Sequence, residues 1–117
     1  MAAPNIVGVT TILGNTQVQQ VSTDTTAIVT NSAASGKVFK INALYVSNVD
    51  GSNNAELDVD LYRANTAYYI AKTIVVPADA TLDVISKSVY LLEGDSLRLT
   101  ASANNDLHAV CSFEEIS

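Results

Sequence analysis

The sequence has one cysteine, two prolines and no tryptophan in 117 residues, and six basic residues against twelve acidic ones. A single thiol, Cys111, forms no intramolecular disulfide, which removes the cross-linked framework common in small secreted domains. The formal charge of −6 supplies no positive field to gather phosphates, so direct binding to nucleic acid or to an anionic membrane is disfavoured. No stretch approaches the ~18 consecutive apolar residues of a membrane span. Met1 to Asn5 lacks the basic start and apolar run of a secretory signal, and the expectation is a soluble product made in the cytosol. None of the ten asparagines is followed two residues later by Ser or Thr, so a glycosylated surface is not indicated.

Catalytic chemistry is equally thin. The one histidine, His108, sits between Leu107 and Ala109 on an alternating stretch that turns its ring to the polar side. Without a second histidine or a Gly-x-Ser-x-Gly turn it makes a weak general base, and it reads as a solvent-facing or interface residue. Cys111 falls on the apolar side with Ala109 and Phe113, as a small filler. One Cys and one His on opposite strand faces cannot form a zinc tetrahedron. Asp50, Ser52, Asn54 and Glu56 alternate along an acidic loop that could offer oxygens to Ca²⁺, but Ala55 and Leu61 occupy the glycine and glutamate positions of an EF-hand loop. Asp58 and Asp60 share one strand face ~7 Å apart, near the lower end for an inverting glycosidase pair. With no Trp and 6% aromatics, a solvated acidic face is the better reading. The five glycines are scattered one per turn and cradle no phosphate. No cofactor and no metal is expected, and no enzyme.

What the chain does have is apolar content, 48% of its residues, arranged with a period of two. Glu56 to Leu61 alternates strictly, with Leu57, Val59 and Leu61 on one face and three carboxylates on the other. Ser96 to Ala101 repeats this, and Leu107, Ala109, Cys111 and Phe113 alternate with His108, Val110, Ser112 and Glu114, less cleanly because of Val110. The polar stretch Ser102 to Asp106 between them suggests a terminal antiparallel hairpin. Further strands are expected at Asn5–Leu13, Gln17–Val21, Thr25–Thr30, Lys37–Ser47, Tyr68–Val76, Thr81–Ile85 and Val89–Leu92, with turns at Asp50–Asn54 and Glu93–Asp95. Pro77 ends ladder pairing after Val76 because it lacks an N–H. Many short strands with no helical period predict an all-β fold, an antiparallel β-sandwich of jelly-roll or Ig-like type, as one domain over residues 1–117.

Two segments, Asn5–Leu13 and Phe39–Val46, are apolar on both faces, which implies cover on both sides. Phe39–Val46 fits a central core strand. The N-terminal segment fits either an ordinary edge strand or an arm, over residues 1–15, that docks on a neighbour. On this reading Ile6, Val7, Val9 and Ile12 belong to an assembly interface, together with Tyr45, Tyr62, Tyr68 and Tyr69. A different class of function, a glycan-binding surface module, would use Tyr62, Tyr68 and Tyr69 as a stacking platform.

From Lys37 onward the order of segments carries a resemblance. Lys37-Val38-Phe39-Lys40-Ile41, Tyr45-Val46-Ser47-Asn48, the Leu57–Leu61 strand, Ile74-Val75-Val76-Pro77-Ala78-Asp79-Ala80-Thr81-Leu82, Leu91-Leu92-Glu93-Gly94-Asp95-Ser96-Leu97-Arg98-Leu99-Thr100-Ala101-Ser102 and Cys111-Ser112-Phe113-Glu114-Glu115-Ile116 follow in sequence. This resembles small β-sandwich virion proteins of tailed bacteriophages, including those of cyanophages. The resemblance implies a non-enzymatic virion component: a capsid decoration or cement protein, or a small neck or tail protein, assembled in the host cytoplasm. The partners it implies are copies of itself in a homo-oligomer, with a trimer as one form, and the major capsid protein or other virion proteins.

Overall fold

The computed structural model describes residues 8–117, and the fold is an all-β sandwich. Nine strands follow in order: β1 (Ile12–Val21), β2 (Thr26–Thr30), β3 (Val38–Asn48), β4 (Ala55–Arg63), β5 (Thr66–Val76), β6 (Thr81–Asp83), β7 (Val89–Leu91), β8 (Ser96–Ala101) and β9 (Leu107–Ile116). One sheet has the order β1-β9-β3-β6, with β7 pairing the other half of the same β3 edge, and the second has the order β2-β8-β4-β5. All pairings are antiparallel.

The pairings are nested. β4 pairs β5, β3 pairs β6 and β7, β2 pairs β8, and β1 pairs β9. The chain is thus one long hairpin with its tip at Ala64-Asn65, rolled so that successive pairs fall in alternate sheets. Contacts of β9 with β3 and of β8 with β4 close the roll. This is jelly-roll connectivity, not the Ig-like alternative.

It also corrects the expected terminal hairpin. β8 and β9 lie in different sheets, and Ser102–Asp106 arches from one to the other, held by Ser102 N–H donating to Glu56 O at 2.9 Å and Val49 N–H donating to Asp106 O at 2.7 Å. Leu97, Leu99 and Ala101 face Leu107, Ala109, Cys111 and Phe113 across the interior, and all seven are buried. The crossover at Val76 to Leu82 likewise leads from β5 in one sheet to β6 in the other.

Two further expectations change. Of the expected Asn5–Leu13 strand, residues 5–7 lie outside the described residues, and its end is not separate from Gln17–Val21: β1 runs unbroken from Ile12 to Val21 through Gly14 and Asn15, which pair Glu114 and Phe113. In β3 the two-sided apolar pattern comes from a register shift between Ile41 and Ala43. Asn42 is an extra residue there, so Phe39 and Ile41 point inward, and after the bulge Leu44 and Val46 do so. The core joins both sheets through these residues and Val21, Leu57, Val59, Val76, Leu91, Leu97, Leu99 and Leu107.

Candidate assembly interface

The two outer faces of the sandwich differ in chemistry. On the four-stranded sheet, β4 is an interior strand, and its outward carboxylates meet cations from both neighbours. Arg98 on β8 donates to Asp60 from Nε at 2.9 Å and from Nη2 at 3.4 Å, and its guanidinium lies 3.8 Å from the Tyr62 ring centroid. Lys72 on β5 donates to Asp58 at 3.1 Å and stands 4.5 Å from the Tyr69 ring centroid. The Asp58 carboxylate holds the Lys72 ammonium above its ordinary pKa. The expected solvated row of carboxylates is corrected at Asp60, which is only 2% exposed beneath Arg98 and Tyr62; Glu56 is exposed and Asp58 half-buried.

The outer face of the five-stranded sheet carries far less charge. Register places Val18, Val110, Tyr45 and Asp83 in one row across β1, β9, β3 and β6, and Gln20, His108, Ser47 and Thr81 in the next. On the other side lie Thr16, Ser112 and Ala43, then Gly14, Glu114, Lys40 and Tyr90. Val18 is 72% exposed, Tyr45 44% and Val110 38%. A shallow open groove of about 400 Å³ lies over Val18, Gln20, His108 and Val110.

The rim beside this face is β1. Its ladder to β9 has no bulge over ten residues, and it contains no charged residue and no proline. It meets the second sheet near its end, where Gln19 Nε2 donates to Ala27 O at 3.1 Å. From Ile12 to Val18 every residue is exposed. Natural edge strands are usually shortened, bulged or charged against pairing with another chain. The opposite long edge, β5, follows that rule: its register shifts twice against β4 and it carries Lys72. β1 has none of these protections.

Of the residues expected at an interface, Ile6 and Val7 lie outside the described residues. Val9 is half-buried ahead of β1, and the N–H groups of Thr10 and Thr11 both donate to Ser117 O, at 2.9 and 3.0 Å. Ile12 opens β1 and is exposed, and Tyr45 sits in the apolar row. The three remaining tyrosines do not share a face, which corrects the single platform. Tyr69 pairs Asp60 and points outward with Tyr62, whereas Tyr68 pairs Leu61 and points the other way. Val18 was missed because it stands among glutamines; Val110 was visible as the residue that spoiled the alternation of β9.

A buried polar network at the Glu93–Asp95 turn was also missed. Asp95, 2% exposed, accepts from Arg63 Nε at 2.9 Å, Arg63 Nη2 at 2.6 Å and Leu92 N–H at 2.7 Å. This carboxylate raises the Arg63 pKa. Asn31, fully buried, donates to Lys37 O and Leu91 O at 2.9 and 3.0 Å. Together they fasten β7, β8 and the β2–β3 loop at one end of the sandwich. Gly94, at φ +87°, supplies the left-handed residue of the turn. Asp50 is occupied by its own turn, accepting from Ser52 N–H at 2.8 Å and from Asn53, which lowers its pKa. Cys111 is fully buried, and loss of solvation pushes its thiol up to about 12.

The class these features define is a jelly-roll sandwich with one unguarded edge and one weakly charged face. No protein-family model and no curated protein matches the chain. Among solved structures it is similar to a chain from "Bacillus endospore appendages form a novel family of disulfide-linked pili", with a TM-score of 0.53 and 14% sequence identity over 98% of this chain and 95% of that one. That likeness concerns the fold.

Proposed function

We propose that the protein is a non-catalytic structural subunit of a large particle, and specifically a decoration or cement subunit on the capsid of a tailed phage, with the neck or tail as its other location. The observation that carries this is the β1 edge: ten regular, uncharged residues with a free side from Ile12 to Val18. An open edge lends main-chain donors and acceptors to a neighbour, and symmetry sums many such weak contacts. The resemblance from Lys37 onward supports the virion setting. The pilus protein of similar fold supports a role in building structures. Disulfide linkage of the kind named for those pili does not carry over, because the one cysteine in this sequence is buried.

The negative balance keeps free copies soluble and favours encounter with basic spots on a shell protein. Immunogold electron microscopy of intact particles tests the reading. Copies spaced over the shell are expected, copies confined to connector or tail select the alternative, and unlabelled particles refute it. Deleting residues 1–15 is expected to abolish incorporation while leaving the core folded, since the β1 residues it removes, Ile12 to Asn15, are exposed.

A further inference from the structure

We propose that the outer face of the five-stranded sheet binds a second copy of this chain, face to face, about a two-fold axis that runs along the strands between β9 and β3. The proposal concerns the face, not the β1 edge, and stands whether or not the protein belongs to a virion.

The first argument is charge. Each copy carries −6, so self-association is least opposed where carboxylates are few. Across the three central rows of β1, β9 and β3, nine residues (Thr16, Val18, Gln20, His108, Val110, Ser112, Ala43, Tyr45, Ser47) include no Asp, Glu, Lys or Arg. The other outer face carries Asp58 paired with Lys72, Asp60 paired with Arg98, and Glu56, and offers no comparable neutral area.

The second argument is self-complementarity, which an isologous contact requires. The proposed axis sets β9 of one copy over β3 of the other. Val110 then meets Tyr45 of the second copy, and Tyr45 meets its Val110. Two rows further, beyond Ser112 and Ala43, Lys40 and Glu114 are cross-strand neighbours, and the same operation puts Glu114 over Lys40 of the second copy and Lys40 over its Glu114. A two-fold perpendicular to the strands through the central Val110–Tyr45 row would instead carry this charged row past His108 and Ser47, so that Lys40 and Glu114 would not face one another. Asp83, at the far column, falls at the rim, where the −30° rotation of aligned sheets opens the corners to water.

The third argument is area. Strands of ten or eleven residues and four strand widths give a face of roughly 33 by 19 Å, about 600 Å² per copy and about 1,200 Å² in the pair. That is the lower end of specific interfaces, and it fits a reversible dimer.

Sedimentation velocity of the full chain over a concentration series tests this. A reversible monomer–dimer equilibrium is expected. Val110→Lys, at the centre, should weaken it by more than about tenfold. Lys40→Glu and Glu114→Lys should each weaken it, because each sets like charges against one another across the axis. An equimolar mixture of these two variants should regain association, because each then faces opposite charges. The last pair keeps the test sharp if Val110→Lys fails to fold; thermal unfolding of each variant checks that. A wild type that stays monomeric up to about 1 mM, a dimer unchanged by both charge reversals, or a mixture that fails to associate overturns the proposal.

Discussion

Replacing Asp95 tests the reading of the Leu-Glu-Gly-Asp-Ser-Leu turn as a structural clamp. Asp95→Ala removes the acceptor of Leu92 N–H and of two Arg63 donors. A buried N–H left without a partner costs about 1–3 kcal/mol. Removing one member of a fully buried ion pair costs about 3–5 kcal/mol, but the Arg63 side chain is 43% exposed, so water recovers part of its solvation and that contribution is discounted. The expected loss is about 2–3 kcal/mol, or roughly 8–12 °C in Tm for a domain of this size. Asp95→Asn keeps one oxygen for Leu92 N–H and should cost about half as much. Urea unfolding followed by circular dichroism measures both. A loss below about 1 kcal/mol for Asp95→Ala, or an Asn variant as unstable as the Ala variant, would refute the clamp.

Arg98→Ala leaves the Asp60 carboxylate buried without its partner and should lower stability by about 3 kcal/mol, while Lys72→Ala, at the exposed pair with Asp58, should have a much smaller effect in the same unfolding assay. For Cys111 the folded pKa of about 12 lies above the ordinary thiol value of 9.0, because the buried thiolate would lose its solvation. The unfolded chain therefore loses this proton first, and the contribution is intact below pH 9 and declines between pH 9 and 12 by at most about 1.4 kcal/mol per pH unit. Comparing wild type with Cys111→Ala across that range should reveal the difference in slope, and equal slopes would contradict it. A thiol reagent should modify Cys111 only as fast as the core opens.

The alternation of Glu56–Leu61, Ser96–Ala101 and Leu107–Phe113 was legible because each strand has one face in the core and one outside. Which strands pair was less so. Leu99 and Cys111 point inward in a hairpin or in an arch, and a period of two does not distinguish them. The bulge at Asn42 hid the alternation of β3 by shifting it one residue. Gly14-Asn15 resembles a turn in sequence, yet both lie extended because β9 offers a complete ladder. Asp60 gave no local sign of burial, since Arg98 is 38 residues away. For the candidate interface, Tyr45 and Ile12 were legible as apolar residues on outward positions, whereas the neutral face exists only once β1, β9 and β3 are set side by side.

The nested ladders also bear on kinetics. The pairs form most readily from the Ala64-Asn65 tip outward, and β1 joins β9 across some ninety residues of chain, the costliest closure in the molecule. β1 is also held by one neighbouring strand only, β9. A β1 that leaves its own β9 exposes a vacated slot of the same sequence specificity, and crowded copies can fill one another's slots. Strand exchange is then a built-in hazard of concentrating this molecule, and equally a route by which neighbours become interlocked.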